Sequence, residues 1–449
     1  MFEAWRGAGL EVAVIGLGRS GVAAAALLRH HGVAVYASDA GDSDALRRQA
    51  AELSKAGAAV DVGTHDLARI ARTAAAIVSP GVPPDAAPLV AARQAGVPVL
   101  AEAEIGLQAL PGARVIAITG TNGKTTTTAL VAHLLVTGGL HAAAAGNIGS
   151  PLTGVALEPT PPEWLAVELS SFQLHDMPGL TPLAGVLTNL SPDHLDRYAS
   201  LGEYYGDKAL LFRNATVDST WITNGDDPLV ERMAGGIAGM HRRFSTEGTA
   251  DGWYDREAGF LMLGDDPLLD RDELLLLGDH NVANALAAAL AGRVAGLGPA
   301  AIAEGLRSFR ALPHRLEPVR EVGGVLWIND SKATNIASTE VALRALDRPY
   351  VLLLGGRHKG EAYTRLAPVL QERCKAVVAY GEAASLVKAD LAAAVSVTEA
   401  GSFEEVLATA GRLAGDGDAV LLSPACSSYD MFRNYEERGA RFRSLVEAL

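Results

Sequence analysis

Eight consecutive residues, Thr119-Gly120-Thr121-Asn122-Gly123-Lys124-Thr125-Thr126, combine glycines, hydroxyls and a lysine in an order suited to holding phosphate groups. Glycines let backbone N–H groups approach phosphate oxygens closely, and a helix opening at the lysine turns its positive end toward them. Lys124 can neutralise the β- and γ-phosphates of a nucleotide, and the Thr125 hydroxyl can ligate magnesium. The usual pattern would place a glycine at position 118, where this chain has Ile118, so the loop is a shortened variant. A coincidental Gly-Lys-Thr turn is the plain alternative. The apolar run before the loop and the helical pattern after it argue against that.

A second glycine-rich turn, Gly16-Leu17-Gly18-Arg19-Ser20-Gly21, follows an apolar run, and Asp39 ends the next one. Any pyrophosphate docked at a helix start needs such glycines, so the turn fits a nicotinamide dinucleotide and other diphosphates alike. It could also serve only to pack helix on strand. Gly81, after Ser79-Pro80, could add a second loop at the same sheet edge.

Metal-ligating types form a third group. Glu168 ends the run Trp164–Glu168, and His194 lies in Ser191-Pro192-Asp193-His194 beyond the next strand-like run. At the C-terminal ends of parallel strands, a carboxylate and an imidazole could hold magnesium against a nucleotide. A lone histidine is more often structural. A fourth group is Asn329-Asp330-Ser331-Lys332-Ala333-Thr334-Asn335. Asp330 could accept from a ribose, and Lys332 and Thr334 could meet anionic oxygens. Arg315, in Pro313-His314-Arg315, could offset charge on a transferring phosphoryl group, or could simply be a salt-bridging hinge residue. Gly355–Gly360, with His358 and Lys359, and Ser423–Ser428 end two further strand-like runs and could line an anionic pocket.

The elements that must position these groups alternate. Short β-branched runs at Glu11–Ile15, Val33–Ala37, Ala75–Val78 and Val97–Leu100 are interleaved with helical patterns, the first at Ser20–His31. Arg114–Ile118, Trp164–Glu168, Gly185–Asn189 and Thr220–Thr223 make a second set. Val325–Asn329, Tyr350–Leu354, Ala376–Tyr380 and Ala419–Leu422 make a third. This alternation predicts an α/β protein of mostly parallel, helix-covered sheets. Boundaries are expected near Ala103 and Leu312. The 449 residues call for two or three domains.

Hydrophobic residues make up 49% and charged residues 20%, as in a globular protein. Acids outnumber bases 52 to 38, a formal charge of −14, which speaks against a bulk nucleic-acid or anionic-membrane binder. An anionic ligand must then be held locally. Two cysteines, Cys374 and Cys426, fit a reducing compartment rather than a disulfide framework. With no signal-like start and no apolar run of membrane-spanning length, a cytoplasmic location is expected.

Taken in order, Gly120–Thr126, Glu168–Leu174, Ser191–Tyr198, His314–Glu317, Asn329–Asn335 and Leu422–Ser428 resemble the Mur ligase family over essentially the whole chain. The resemblance implies three α/β domains: a Rossmann-like UDP-sugar domain over 1–103, a P-loop-type ATP-binding domain over 104–312, and a Rossmann-like amino-acid domain over 313–449 that closes over the others. It implies an ATP-dependent ligation of D-glutamate to UDP-N-acetylmuramoyl-L-alanine through an acyl phosphate, by a monomer, with two magnesium sites. Gly18, Arg19, Ser20, Asp39, Ser79 and Gly81 would then face the uridine diphosphate, and Asn147 the sugar. Gly120, Thr121, Asn122, Gly123, Lys124, Thr125 and Thr126 would hold ATP, with Asn284, Asp330 and Arg315. Thr125, Glu168, His194 and Lys208 would serve magnesium. Lys208 matches the family lysine that becomes carbamylated, although its local sequence reads as an ordinary surface-helix lysine. Lys332, Thr334, Lys359, Ser428 and Tyr435 would grip the amino acid or the reacting carboxylate, and the catalytic set would be Lys124, Glu168, His194, Lys208, Arg315 and Lys332. Two positions depart from the family pattern, His358 where Asp is frequent and His175 where Glu is frequent. A nicotinamide oxidoreductase would use only the Gly16–Gly21 turn, and a nucleotide-binding regulator only the Gly120–Thr126 loop. Among ligases, the alternatives are a sister enzyme adding another amino acid and a folate polyglutamate synthetase.

Overall fold

A computed structural model of the protein describes residues 1–193 and 198–449. The chain forms two compact units, Met1–Glu273 with Ala283–Ser308, and Leu274–Val282 with Phe309–Leu449. The first unit holds two sheets and the second holds one.

The first sheet has five strands, in spatial order Ala59–Val62, Ala34–Asp39, Glu11–Ile15, Ala76–Val78 and Val99–Ala101. All its pairings are parallel. Parallel strands covered on both faces read as unbroken apolar runs, and Val12, Ala13, Val14 and Ile15 are fully buried. Helix Arg19–His30 packs Ala24, Ala25, Leu27 and Leu28 into this core. The strand order reverses beside Glu11–Ile15, which opens a ligand crevice at the carboxyl end of that strand.

The second sheet has nine strands. Arg114–Thr119 lies in its interior between Trp164–Glu168 and Ala184–Leu187, parallel to both. Beyond Thr220–Asn224 and Met240–Ser245 the sheet continues into an antiparallel meander, Gly252–Asp255, Phe260–Leu263 and Asp266–Asp270. At the opposite edge Ala142–Gly146 pairs with Trp164–Glu168. Helix Lys124–Thr137 covers one face and buries Thr127, Leu130, Val131, Leu134 and Leu135.

The third sheet has six strands, in order Glu317–Val322, Val325–Asn329, Ala419–Leu422, Tyr350–Gly355, Cys374–Tyr380 and Val397–Ala400. Only the first pairing is antiparallel. The sequence pattern carries no strand between Thr223 and Val325, yet five form there: the four from Met240 to Asp270, and Glu317–Val322. They are short or half-exposed, so no clean apolar period marks them. No described helix is long and apolar enough to cross a membrane.

Candidate active site

The loop after Arg114–Thr119 is shaped by two glycines with positive φ, Gly120 at 143° and Gly123 at 81°. A Cβ on Gly120 would collide with the Thr188 hydroxyl, and one on Gly123 with the Asn284 side-chain oxygen, so close approach as well as φ demands glycine. Gly123 is the N-cap of the following helix, and no side chain caps it. A helix start of this kind suits an anion. The loop is clamped from outside. Thr188 donates to the Asn122 carbonyl at 2.6 Å, Asn189 accepts from the Asn122 N–H at 2.9 Å, and the Thr121 N–H donates to the Asn189 carbonyl at 2.9 Å. On the inner side Thr127 donates to Asn284 at 3.1 Å. Thr125 and Thr126 occupy the first turn of the helix.

Two lysines converge on this loop. Lys124 Nζ donates to the carbonyls of Thr121 at 2.7 Å and Gly120 at 3.0 Å. Lys208 is 1% exposed, and its Nζ donates to the same Gly120 carbonyl at 2.7 Å. The surface position suggested by its local sequence is therefore not what forms. Helix Leu201–Ala209 turns Lys208 inward, over the ring of Tyr204 at 4.7 Å. Burial pushes the Lys208 ammonium down to about 7, the Lys124 charge adds to the effect, and Asp193, Asp207 and Glu168 oppose it. Tyr204, whose hydroxyl lies 3.2 Å from that of Thr121, is pushed up to about 12 by burial.

Glu168 ends strand Trp164–Glu168 and is 2% exposed. One carboxylate oxygen accepts from Asn147 Nδ2 at 2.9 Å, and the other, equally buried, has no hydrogen-bond partner among the described residues. An orphaned buried acceptor costs about 1–3 kcal/mol, which a cation would remove. Among the described residues, no three His, Cys, Asp or Glu side chains gather into a metal site. A hard divalent cation here would instead draw on Glu168, the Thr125 hydroxyl, nucleotide oxygens and an anionic form of Lys208. His194 lies outside the described residues.

On the first sheet, Gly16 and Gly21 have steric reasons. Gly16 has φ 88°, and a Cβ on Gly21 would enter the Gly16 carbonyl. Gly18 and Gly81 face open space instead, and Gly18 starts helix Arg19–His30 with no side-chain cap. Asp39 is engaged within the turn, accepting from the N–H groups of Leu17 and Gly41, each at 2.7 Å. Ser79 donates to the Gly16 carbonyl at 2.8 Å, and Arg19 to the Gly149 carbonyl at 3.1 Å. Ser20 is half-buried in the helix's first turn. A cleft of about 680 Å³ runs from Ser79, Pro80 and Val82 to Phe172, Gln173 and Tyr198.

In the second unit Asp330 follows strand Val325–Asn329 and is buried. Its two oxygens accept from Leu316 N–H at 3.1 Å and Ser423 Oγ at 2.8 Å. Burial pushes its carboxyl up to about 7, against the pull of those bonds and of Arg315 and Arg438. Lys332 Nζ sits 5.2 Å from the Tyr435 ring centre, and Lys359 donates to Thr334 at 3.3 Å. Ser428 is 3% exposed, in the loop after Ala419–Leu422. Its neighbour Ser427 pairs through the backbone with Arg357. Lys332, Thr334, Lys359, Ser428 and Tyr435 thus collect at the carboxyl ends of neighbouring strands. His314 and Leu316 on either side of Arg315, and Ala425, hold positive φ without being glycine; such strain concentrates at functional sites.

Comparison with known proteins bears on all three sheets. Residues 10–101 match the Mur ligase MurD-like N-terminal domain, 118–292 the Mur ligase middle domain, and 314–426 the Mur ligase glutamate ligase domain. A protein of Acidobacterium capsulatum named UDP-N-acetylmuramoylalanine--D-glutamate ligase is 40% identical over 98% of this chain and 96% of its own. One of Myxococcus xanthus with the same name is 40% identical over 98% and 99%. The chain belongs to the Mur ligase family. The fold also matches the crystal structure of UDP-N-acetylmuramate-alanine ligase MurC from Thermotoga maritima, with a TM-score of 0.62 at 20% identity over 98% of this chain and 99% of the other.

Several parts of this Mur ligase escape a reading of its sequence. Thr188 and Tyr204 touch the phosphate loop from distant positions, and nothing local marks them. Arg438, in helix Tyr435–Glu447, is fully buried and donates to Ser331 Oγ at 3.0 Å, the Ser331 carbonyl at 2.8 Å and the Cys426 carbonyl at 3.2 Å. It ties the loop of Lys332 to the loop of Ser428. A charged C-terminal helix would lead one to expect an exposed arginine there. The two departures also have partners: His175 meets Asp207 at 2.8 Å, and His358 meets the Tyr363 hydroxyl at 3.1 Å.

Proposed function

We propose that this Mur ligase joins D-glutamate to UDP-N-acetylmuramoyl-L-alanine with ATP, releasing ADP and phosphate, in peptidoglycan precursor synthesis. The observation that carries the reading is the convergence of Lys124 and buried Lys208 on one loop carbonyl, together with a buried Glu168 oxygen that lacks a partner among the described residues.

The phosphate loop, Gly120 to Thr126, holds the β- and γ-phosphates against Lys124 and the helix N-terminus. Asn284 and Asp330 serve the adenosine, and Arg315 the transferring phosphoryl group. Thr125, Glu168, His194 and Lys208, the last as its carbamate, hold magnesium. A magnesium ion held by these residues would supply positive charge to the phosphoryl oxygens. Lys208 supports this role because burial leaves much of its amine neutral near pH 7, and a neutral amine can add carbon dioxide. Gly18, Arg19, Ser20, Asp39, Ser79 and Gly81 serve the uridine diphosphate, and Asn147 the sugar, along the cleft that leads to Phe172. The substrate carboxylate attacks the γ-phosphorus, and the bond to the ADP oxygen breaks. The amine of D-glutamate, held by Lys332, Thr334, Lys359 and Ser428 beside Tyr435, then attacks the acyl carbon. It loses a proton as phosphate departs. The reading includes division into 1–103, 104–312 and 313–449, a monomer, and a cytoplasmic location, which suits nucleotide-linked substrates.

Phosphate release from ATP with UDP-N-acetylmuramoyl-L-alanine tests it, comparing D-glutamate with L-glutamate, L-alanine and a diamino acid. Release that requires both the UDP-sugar and D-glutamate supports the reading. Release with another amino acid moves the chain to a sister step, and no release with any of them overturns the proposal.

A further inference from the structure

The chemistry above leaves one polar chain in the cleft unused. His175, the last residue of helix Ser171–His175, meets Asp207 through Nδ1 and Oδ1 at 2.8 Å. The other Asp207 oxygen accepts the Tyr198 hydroxyl at 2.9 Å. Tyr198 stacks on Phe172, ring centres 5.1 Å apart and planes within 12°, and Phe172 belongs to the same short helix as His175. On its other side Tyr198 lies 5.4 Å from Tyr204, the ring under Lys208 Nζ. Asp207 is also the residue just before Lys208 in helix Leu201–Ala209. Helix Ser171–His175 therefore meets the lysine's helix through the His175–Asp207 pair and meets the aromatic stack through Phe172.

We propose that His175 is a positioning residue for the ligation: by clamping Asp207 it sets the helix that carries Lys208 and seats Tyr198 on the cleft wall. This rests on the ligase reading of the site. The clamp is a charged pair when the imidazole is protonated and a weaker neutral hydrogen bond when it is not. The groups facing His175 are Asp207 and Asp176, which favour its cation, and Arg93, which opposes it and lies 3.7 Å from Asp176. Glu203 and Arg213 line the same cleft. The Asp207 bond outweighs burial and raises the imidazole above its usual range. The charged clamp is thus complete below the ordinary histidine range and fades as pH rises through the raised value.

The test uses the full chain. The kcat and KM of phosphate release are measured from about pH 6 to 9 for wild type, His175→Gln, Asp207→Asn and the double variant. A half-exposed charged pair limits the expected loss of kcat to about fivefold at the acid end. The ratio of variant to wild type should climb toward one at the alkaline end, where wild type has itself lost the charged clamp. The two substitutions should not add. A pH-independent ratio, or additive losses, would overturn the proposal. NMR titration of the His175 imidazole should also give a lower pKa in Asp207→Asn than in wild type; an unchanged value overturns the clamp. That titration needs no turnover, so a wild type that fails to ligate these substrates defeats the function reading and leaves the clamp to be judged by itself.

Discussion

Lys124 and Lys208 share one acceptor: both ammonium groups donate to the carbonyl oxygen of Gly120, at 3.0 and 2.7 Å. Two cations aimed at a single oxygen repel each other in the absence of an anion. Conversion of Lys208 to a carbamate would reverse that relation, turning a competitor of Lys124 into an anionic neighbour and a metal ligand.

Lys208→Ala should therefore lower phosphate release by on the order of a hundredfold or more. A short-chain carboxylate such as acetate or formate should restore part of it by standing in for the carbamate. Turnover assays with and without added carboxylate check this, and full activity in the unsupplemented variant would count against carbamylation.

The same lysine predicts a pH dependence of folding. Its ammonium is held down to about 7 in the native chain, against 10.5 when unperturbed. Between those values the unfolded chain binds the additional proton, so the lysine's unfavourable contribution is full below the lower value and relaxes as pH rises toward the upper one. Denaturant unfolding in carbonate-free buffer should show Lys208→Met ahead of wild type at neutral pH, with the gap narrowing as the buffer becomes alkaline. A gap independent of pH would be inconsistent with a buried amine.

Lys124→Ala should remove charge that the transferring phosphoryl group needs and lower kcat by on the order of a hundred- to a thousandfold. The fold should persist, because the Lys124 ammonium is only part-buried and its bonds to the Thr121 and Gly120 carbonyls stay within the loop. Circular dichroism alongside turnover separates the two effects.

Glu168→Gln deletes the charge but keeps an acceptor for Asn147. Without metal, the variant should melt no lower than wild type, since a buried carboxylate with an orphan oxygen disappears. The rise in melting temperature that magnesium and ADP give the wild type should shrink or vanish. Thermal melts with and without these ligands check it, and an undiminished rise would place the cation elsewhere.

Asp39→Ala leaves the N–H groups of Leu17 and Gly41 without their acceptor. The variant should bind the UDP-sugar more weakly and lose about 1–3 kcal/mol of stability. Wild type should give no saturable signal with NAD by calorimetry; one that saturates would favour a dinucleotide at this turn.

How legible these features are depends on distance along the chain. Trp164–Glu168, Val325–Asn329 and Ala419–Leu422 form with the bounds their apolar runs indicate, because each is buried on both faces. Ala142–Gly146 carries no such mark. Alanine is a poor strand former, and this segment is a strand because Trp164–Glu168 offers it a partner. The phosphate loop is readable because its glycines, lysine and helix start are contiguous. The groups that clamp it come from far away: Asn284 is 157 residues from Thr127, and Lys208 is 88 from Gly120. Burial of Lys208 and Arg438 is a property of packing, and a polar, charge-rich helix gives no local sign of it.

The outermost strand of the nine-stranded sheet, Asp266–Asp270, is paired on one side only among the described residues. A free strand edge invites a strand from another molecule. Here that edge reads Asp266-Pro267-Leu268-Leu269-Asp270, a carboxylate at each end and a proline that has no N–H to give. A second copy docking there would bring like charges together. This margin is thereby protected against fibrous self-association, and replacing Asp266 and Pro267 with threonine and valine would turn it into a nucleus for aggregation.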